Sequence, residues 1–507
     1  MRTNPWESYT SPDLIRILSS ISFVCPSLSF SRPASKRESH LPTSQVFSDL
    51  EGLPTTVKPR WLQTESEEQI EKTKAKCEIT WLGHATTYLR IPSADSEGFL
   101  GVLMDPIFSK RCSPLSIGPQ RRLGTVCEVK DLEEVDIVLI SHDHYDHLDK
   151  QTIKDLNNHF PQANYMVPTG TKKWLVNWGV DPTQIREMTW WEDVNFTLRF
   201  SDRKISYRSE KSFAHSILKG DEEKELGVDG SRRERMTAEN TLEVDLPRSD
   251  ELNCSDERRE GRNEEEYSPK TSISYEQGPP VGERTKTVSG KDSAEVRPGT
   301  QRLDSEIAFV QSIDYLVSDT IKPIVDLTNS TEKLLEEEGI SMRLVCTPAQ
   351  HASGRGMWSK NKALWCSWLM EFENCSETKR VFFAGDTGFQ STSDGPTCPI
   401  FREIRETYGN PTLSLLPIAN GSVLPYLESL IPFLRIDDDV TRHVHLTPQD
   451  AVDVHREMES DLSIGVHWGT FTSSRRTQST IKDLNDAKRL RDVNSFHVGD
   501  VGQTWEF

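Results

Sequence analysis

The sequence predicts an α/β fold whose functional residues lie at the carboxyl ends of strands. Two observations predict it. The run Val135–Ile140 is short, β-branched and apolar, as is typical of a buried strand, and a histidine-rich loop follows it directly. Three later runs at 342–347, 380–384 and 462–466 also have the character of strands, and each is followed by a residue that can bind a metal. Open α/β sheets place their chemistry at this end of their strands.

The histidine-rich loop has the sequence Ser141-His142-Asp143-His144-Tyr145-Asp146-His147, an H-x-H-x-D-H pattern. Neutral imidazole and carboxylate are the usual ligands of zinc and similar ions. Alternate side chains of an extended segment point to opposite sides, so His142 and His144 can serve one metal while Asp146 and His147 serve a second. Asp143 and Tyr145 are then expected to point away from the metals.

Further ligand-type residues follow the three later strands. They are His351, Asp386 and His467. A single histidine near an apolar strand is more often structural than functional. Three residues in the same relation to a strand end, together with the first cluster, indicate one shared metal site built from distant parts of the chain.

These motifs resemble the metallo-β-lactamase superfamily and, within it, the N-acylphosphatidylethanolamine-hydrolysing phospholipases D. The second resemblance depends on segments such as Trp81-Leu82-Gly83-His84, Trp190-Trp191-Glu192 and His467-Trp468-Gly469-Thr470-Phe471. It covers most of 76–203 and 341–507. It implies an αββα sandwich with a binuclear metal site along one edge.

The resemblance also implies a division of the ligands between two zinc ions. The first ion takes His142, His144 and His351, the second takes Asp146, His147 and His467, and Asp386 bridges them. Hydroxide activated by the metals would then hydrolyse N-acylphosphatidylethanolamine to N-acylethanolamine and phosphatidic acid. Asp386 and Asp146 are therefore expected to be catalytic as well as ligands.

Other residues are expected to support this site. Asp105, after the apolar run 100–104, resembles an acidic residue that supports the metal loop, and His84 is expected nearby. His445 matches the position of a non-ligand histidine that orients the phosphate or protonates the leaving oxygen, although His443 can share that role. Two tryptophans, Trp365 and Trp368, either line a path for an acyl chain or belong to the core.

Two parts of the chain have the composition of disordered segments. Residues 1–75 are rich in Ser, Pro and charge, and residues 204–340 contain long stretches almost without apolar clusters. We therefore expect a mostly disordered N-terminal tail and one long, largely disordered insertion between the two parts of the catalytic domain, 76–203 and 341–507. Apolar spacing predicts a helix at 305–338, either amphipathic for a membrane or partner, or packed on the main domain.

The charge of the chain limits its partners. A net charge of −19 argues against nucleic acid, whose binding groove needs a basic surface. Lys110, Arg111, Arg121 and Arg122 flank a loop that is either a local phosphate-binding patch or a solvated surface. No apolar run is long enough to predict a membrane span. The partners that the resemblance implies are a phospholipid substrate, a peripheral membrane surface and a second copy of the chain in a homodimer.

Location and specificity leave alternatives open. Nine cysteines without a paired framework fit a reducing, intracellular compartment. The expected location is the cytoplasmic side of a membrane, or mitochondria if residues 1–40 act as a targeting peptide. Departures from the family at 390–398 and 420–442 leave the lipid undecided. The alternatives are another hydrolase on the same site, such as a lactonase or a different phosphodiesterase, and a catalytically silent scaffold.

Overall fold

The computed structural model describes residues 3–9, 21–23, 54–63, 76–93, 98–114, 117–208, 339–356, 358–431 and 434–507. The strands within these ranges are β1 Ile21–Phe23, β2 Glu78–Gly83, β3 Thr86–Pro92, β4 Phe99–Met104, β5 Ile137–Leu139, β6 Asn164–Pro168, β7 Ile185–Met188, β8 Asp193–Arg199, β9 Lys204–Arg208, β10 Gly339–Thr347, β11 Ser367–Asn374, β12 Glu377–Phe383, β13 Leu413–Pro417, β14 Leu434–Ile436, β15 Leu462–Val466, β16 Phe496–His497 and β17 Thr504–Glu506. The α-helices are α1 Lys150–His159, α2 Lys172–Asn177, α3 Ile400–Tyr408, α4 Val423–Leu430, α5 Pro448–Glu457 and α6 Ser474–Arg491.

Two large mixed sheets form the centre of the fold. The first has the strand order β17-β2-β3-β4-β5-β6-β7, antiparallel as far as β4 and parallel beyond it. The second has the order β16-β15-β13-β12-β11-β10-β8-β9, parallel from β16 to β12 and antiparallel beyond it. In each sheet, the carboxyl ends of the neighbouring parallel strands therefore lie at one edge.

The sheets pack face to face, and helices cover their outer faces. One buried cluster contains Leu89 and Val102 from the first sheet with Leu344 and Met370 from the second. A second cluster joins the outer face of the first sheet to α1 and α2, and a third joins the outer face of the second sheet to α3, α5 and α6. The predicted αββα sandwich is confirmed.

The edge of the second sheet extends into the region predicted as insertion. Strand β9 pairs antiparallel with β8, so the sheet continues to Arg208 rather than to 203. Alternation of Ile205 and Tyr207 with polar residues provides the pattern of an edge strand. The rest of the insertion up to residue 338, including the predicted helix at 305–338, lies outside the described residues, as does most of the N-terminal 75.

A close approach at Gly101 connects β4 to the segment that begins β5. Gly101 N donates to Asp136 Oδ2 at 2.9 Å, and Asp136 N donates to Gly101 O at 2.9 Å. A Cβ atom at this position would lie 2.1 Å from the backbone oxygen of Glu134. Backbone cannot move aside as a flexible side chain does, so only glycine fits between β4 and the segment that precedes β5.

We expect Gly101→Ala to lower the free energy of unfolding by about 1–3 kcal/mol, since it forces β4 and the segment that precedes β5 apart. Urea denaturation followed by circular dichroism measures the change. Gly124→Ala is the matched control, because a Cβ atom there meets nothing within 4 Å. Equal stability of the two variants would contradict the close approach.

Candidate metal centre

Strand ends bring the predicted ligands to one edge of the sandwich. His142 lies three residues beyond β5, and His467 directly follows β15. Asp386 lies three residues beyond β12, and His351 four beyond β10. Because β12, β13 and β15 are parallel, their carboxyl ends meet, and the first sheet presents its own ligand loop opposite them.

Three imidazoles form the first group of possible ligands. His144 Nδ1 lies 2.8 Å from His142 Nε2 and 3.3 Å from His351 Nε2. His351 Nδ1 donates to the carbonyl of Val444 at 2.8 Å, which leaves its Nε2 as a lone-pair donor toward the group. These are the three residues predicted for the first ion.

The second group contains the residues predicted for the second ion and one more. His147 Nε2 and His467 Nε2 lie 3.2 Å apart, and Asp146 belongs to the same group. His84 joins it, with Nε2 at 3.2 Å from Asp146 Oδ2 and its ring 4.0 Å from that of His467. Ser422 Oγ also donates to Asp146 Oδ2 at 2.9 Å, a contact that no pattern in the sequence indicates.

Asp386 lies between the two groups. Its Oδ2 atom is 3.2 Å from His147 Nε2 and 3.7 Å from His351 Nε2, and its Oδ1 atom is 3.0 Å from His467 Nε2. The side chain is almost fully buried. A carboxylate at this position would be able to hold both ions, because it has two oxygens.

The donor set fits two divalent ions. Asp386 Oδ1 and His445 Nδ1 are buried polar atoms with no hydrogen-bond partner among the described residues. Nitrogen lone pairs that face one another repel unless a cation or proton lies between them. Two ligands on a tetrahedral ion with bonds of about 2.05 Å lie about 3.3 Å apart, close to several of the separations above. The fold and these groups support a dinuclear metal site.

Asp105 holds the ligand loop from behind. Its carboxylate accepts hydrogen bonds from Ser141 N at 2.7 Å, Ser141 Oγ at 2.5 Å and His147 Nδ1 at 2.6 Å. It is fully buried and adopts a left-handed backbone, with φ of 40°. The supporting role expected of Asp105 has its geometric counterpart here, because this carboxylate contacts both ends of the loop.

A glycine allows the two sheets to meet behind the site. A Cβ atom on Gly385, the residue before Asp386, would lie 2.5 Å from the Cβ of Ser141. The backbone of Gly385 has a φ of 57°, which glycine adopts without strain. The Asp386 loop can therefore approach the start of the histidine-rich loop.

The outward side of the histidine-rich loop is fixed by Arg355. As expected, Asp143 and Tyr145 point away from the ligands: Asp143 Oδ1 accepts from Gly354 N at 2.6 Å, and Tyr145 donates to Arg355 O at 2.9 Å. The guanidinium lies 4.1 Å from the Tyr145 ring and donates to Asp143 O at 3.0 Å and Leu148 O at 2.7 Å. Sequence reasoning missed Arg355, because its partners are about 210 residues away.

The structure distinguishes between the two interpretations given to Arg121, Trp365 and Trp368. Arg121 is buried, donates to Ile107 O and lies over the Phe471 ring, so it is not part of an exposed basic patch. Trp365 and Trp368 are fully buried core residues, with indole groups donating to backbone carbonyls at 2.8 and 3.0 Å.

Electrostatics in the site keep most of the imidazoles neutral and favour the charged form of Asp146 and Asp386. Burial lowers the pKa of His142 and His351 well below the ordinary value, which favours the metal-binding form. Burial alone would raise the pKa of Asp386, but His147, His467 and His445 hold it well below its usual range. His147 is the exception, since Asp386 and Asp105 outweigh burial and raise its pKa well above the ordinary value.

The fold and the clustered donors define a metal-dependent hydrolase. The model of the family described as "Beta-lactamase superfamily domain" matches residues 101–216 and 307–468. The chain belongs to this superfamily.

Two relatives also match along most of the chain. The N-acyl-phosphatidylethanolamine-hydrolyzing phospholipase D 1 of Caenorhabditis elegans is 25% identical over 434 residues, which are 84% of this chain and 75% of the relative. The mitochondrial N-acyl-phosphatidylethanolamine-hydrolyzing phospholipase D of Saccharomyces cerevisiae is 21% identical over 438 residues, 86% of this chain and 55% of the relative. A solved structure of a possible metal-dependent hydrolase from Veillonella parvula covers 85% of this chain and 100% of its own, with 12% identity and a TM-score of 0.41.

We expect Asp105→Asn to weaken metal binding about 10- to 100-fold, because an amide NH₂ replaces an oxygen that accepts from His147 or Ser141. Competition with a chelating dye measures the affinity, and circular dichroism verifies the fold. Asp461→Asn, at an exposed carboxylate, should bind metal like the unmodified protein. Unchanged affinity in Asp105→Asn would show that this carboxylate does not orient the ligands.

Proposed function

We propose that the protein is a zinc-dependent phosphodiesterase of the phospholipase D type, which hydrolyses N-acylphosphatidylethanolamine to N-acylethanolamine and phosphatidic acid. The match to the worm phospholipase over 84% of the chain carries this proposal. It is supported by the predicted ligands, six of which lie in two groups with the seventh, Asp386, between them. Imidazole and carboxylate donors in two groups suit zinc.

In this proposal, His142, His144 and His351 would hold one ion, Asp146, His147 and His467 would hold the other, and Asp386 would hold both. Two bound divalent ions would make an activated water available near neutral pH and would neutralise charge on phosphate oxygens. The chain itself keeps the ligands oriented, through Asp105 behind His147 and through backbone carbonyls behind His351 and His467.

His445 is the candidate for contact with the phosphate. Its Nδ1 atom lies 3.6 Å from Asp386 Oδ2 and has no hydrogen-bond partner among the described residues. Burial lowers its pKa to about 4, so the ring is neutral near pH 7. It therefore suits donating a hydrogen bond to a phosphate or leaving oxygen better than delivering a proton as a cation. Thr447, two residues after His445, caps α5 and so fixes the end of this loop.

Metal analysis and an assay with product identification test the reaction together. The purified protein should contain close to two zinc ions and should release N-acylethanolamine from N-acylphosphatidylethanolamine in preference to cleaving phosphatidylcholine or simple lactones. Preference for another substrate would favour the other hydrolases of this fold. A protein without metal would support the scaffold alternative.

We expect Asp386→Asn to reduce hydrolysis by at least about 10²–10³-fold and to weaken metal binding, because the amide cannot bridge two cations as a carboxylate does. Initial rates and metal content measure both effects. Asp394→Asn is the matched control, since Asp394 is exposed in the loop that follows. Turnover retained in Asp386→Asn would exclude the bridging role.

A peripheral membrane surface is part of the proposal, because the substrate is a bilayer lipid. No described helix is long and apolar enough to cross a membrane. Helix α4 begins directly after Ser422, which contacts Asp146, and it exposes Val423 by 61% and Leu430 by 57%. These side chains favour α4 as the face that meets the lipid. The name of the yeast relative favours mitochondria over the cytoplasm as the location to test first.

Replacing Val423 and Leu430 with Asp should weaken binding to phospholipid vesicles by about tenfold for each residue that enters the bilayer surface. Co-sedimentation with vesicles of phosphatidylcholine and phosphatidylglycerol measures the effect. Leu490→Asp serves as the control, because Leu490 is 82% exposed on α6, a different helix. Equal losses in all three variants would mean that α4 is not the contact.

A further inference from the structure

Residues 3–9 fold against the metal centre from the far end of the sequence. Asn4 Nδ2 donates to the backbone oxygen of His351, a predicted ligand, at 2.7 Å. The Trp6 ring lies 5.8 Å from the ring of Trp190, so the segment also packs beside the Trp-Trp-Glu motif. Contacts this specific were not expected from a region rich in Ser, Pro and charge.

Ser8 is the buried centre of this segment, with 1% exposure. Its hydroxyl donates to Gln350 Oε1, and its carbonyl accepts from Ser391 Oγ and from Gln350 Nε2, the latter at 3.4 Å. Gln350 Nε2 also donates to His443 O at 3.1 Å. The next residue, Tyr9, packs edge-on against the His443 ring at 5.4 Å.

Gln350 connects this segment to the loops that carry the site. Its backbone N donates to Thr387 Oγ1 at 3.0 Å, and its carbonyl accepts from Gly388 N at 2.7 Å. Thr387 directly follows Asp386, and His351 directly follows Gln350. Gln350 is fully buried, so each of its polar atoms needs a partner from the chain.

We propose that Asn4–Tyr9 is a positioning element of the metal centre, which fixes the spacing of the loops carrying His351, Asp386 and His445. Without the Ser8 hydroxyl, the buried Gln350 Oε1 atom loses its hydrogen-bond donor. The Gln350 amide must then rotate, or a water molecule must enter to replace the lost hydrogen bond. A displacement well below 1 Å at these loops moves the ligands and His445 relative to the substrate. The expected effect on the rate of hydrolysis rests on the proposed function. The expected effects on metal affinity and on amide hydrogen exchange in these loops do not.

The test uses the full chain with Ser8→Ala, and Asn4→Ala as a second variant. We expect kcat to fall about tenfold with KM changed less than about twofold. Metal affinity should fall, and amide hydrogen exchange in peptides containing 350–352 and 443–445 should accelerate. Glu7→Ala is the matched control, because Glu7 is exposed in the same segment. It should leave kcat, metal affinity and exchange unchanged.

Each outcome decides the proposal. The proposal is overturned if Ser8→Ala and Asn4→Ala both keep the kcat, the metal affinity and the amide hydrogen exchange of the unmodified protein. It is also overturned if Glu7→Ala changes these three quantities to the same extent. Loss of thermal stability with no change in kcat or metal affinity would mean that the segment only packs. If the unmodified protein hydrolyses no phospholipid, the proposed function fails, and metal affinity and exchange still decide the role of the segment. If Ser8→Ala does not fold, Asn4→Ala decides by the same three measurements.

Discussion

The carboxylate of Asp105 is the contact on which the metal centre depends most. Burial raises the pKa of this carboxyl group, and hydrogen bonds from Ser141 and His147 oppose that shift. A buried carboxylate is tolerated only when donors surround it in this way. Here the donors come from Ser141 and His147, the two ends of the histidine-rich loop, so satisfying the carboxylate also sets the shape of that loop. Asp105 directly follows β4, and the histidine-rich loop follows the parallel neighbour β5. The pairing of β4 with β5 therefore also positions Asp105 against the loop that carries the predicted ligands.

The two sheets share the donors between them. The histidine-rich loop and His84 follow strands of the first sheet, whereas His351, Asp386 and His467 follow strands of the second. Each ligand group therefore contains residues from both sheets, so its assembly depends on how the sheets pack on their common core. It follows that bound metal stabilises this packing as well as supplying chemistry, because ions that bind only the folded state shift the folding equilibrium.

The fold could be predicted and the ligands proposed because both depend on local patterns in the sequence. Each predicted ligand follows a short apolar strand, so the strand and the predicted ligand are recognised within about ten residues of one another. The unpredicted contacts share no such pattern. Asn4 and His351 are separated by 347 positions, Ser422 and Asp146 by 276, and neither pair lies on one element. The role of His84 could not be assigned from the sequence for a related reason, because a single histidine after a single strand is more often structural than functional.

The last described strand has a consequence for how the chain is made. Strand β17 pairs with β2, so residues near 505 complete the sheet that begins near residue 78. His467 also belongs to the late part of the chain, yet its partner His147 is synthesised more than three hundred residues earlier. A ribosome therefore releases the early ligands long before the late ones exist. During that interval the chain holds only part of the donor set, and its first sheet lacks the edge strand β17.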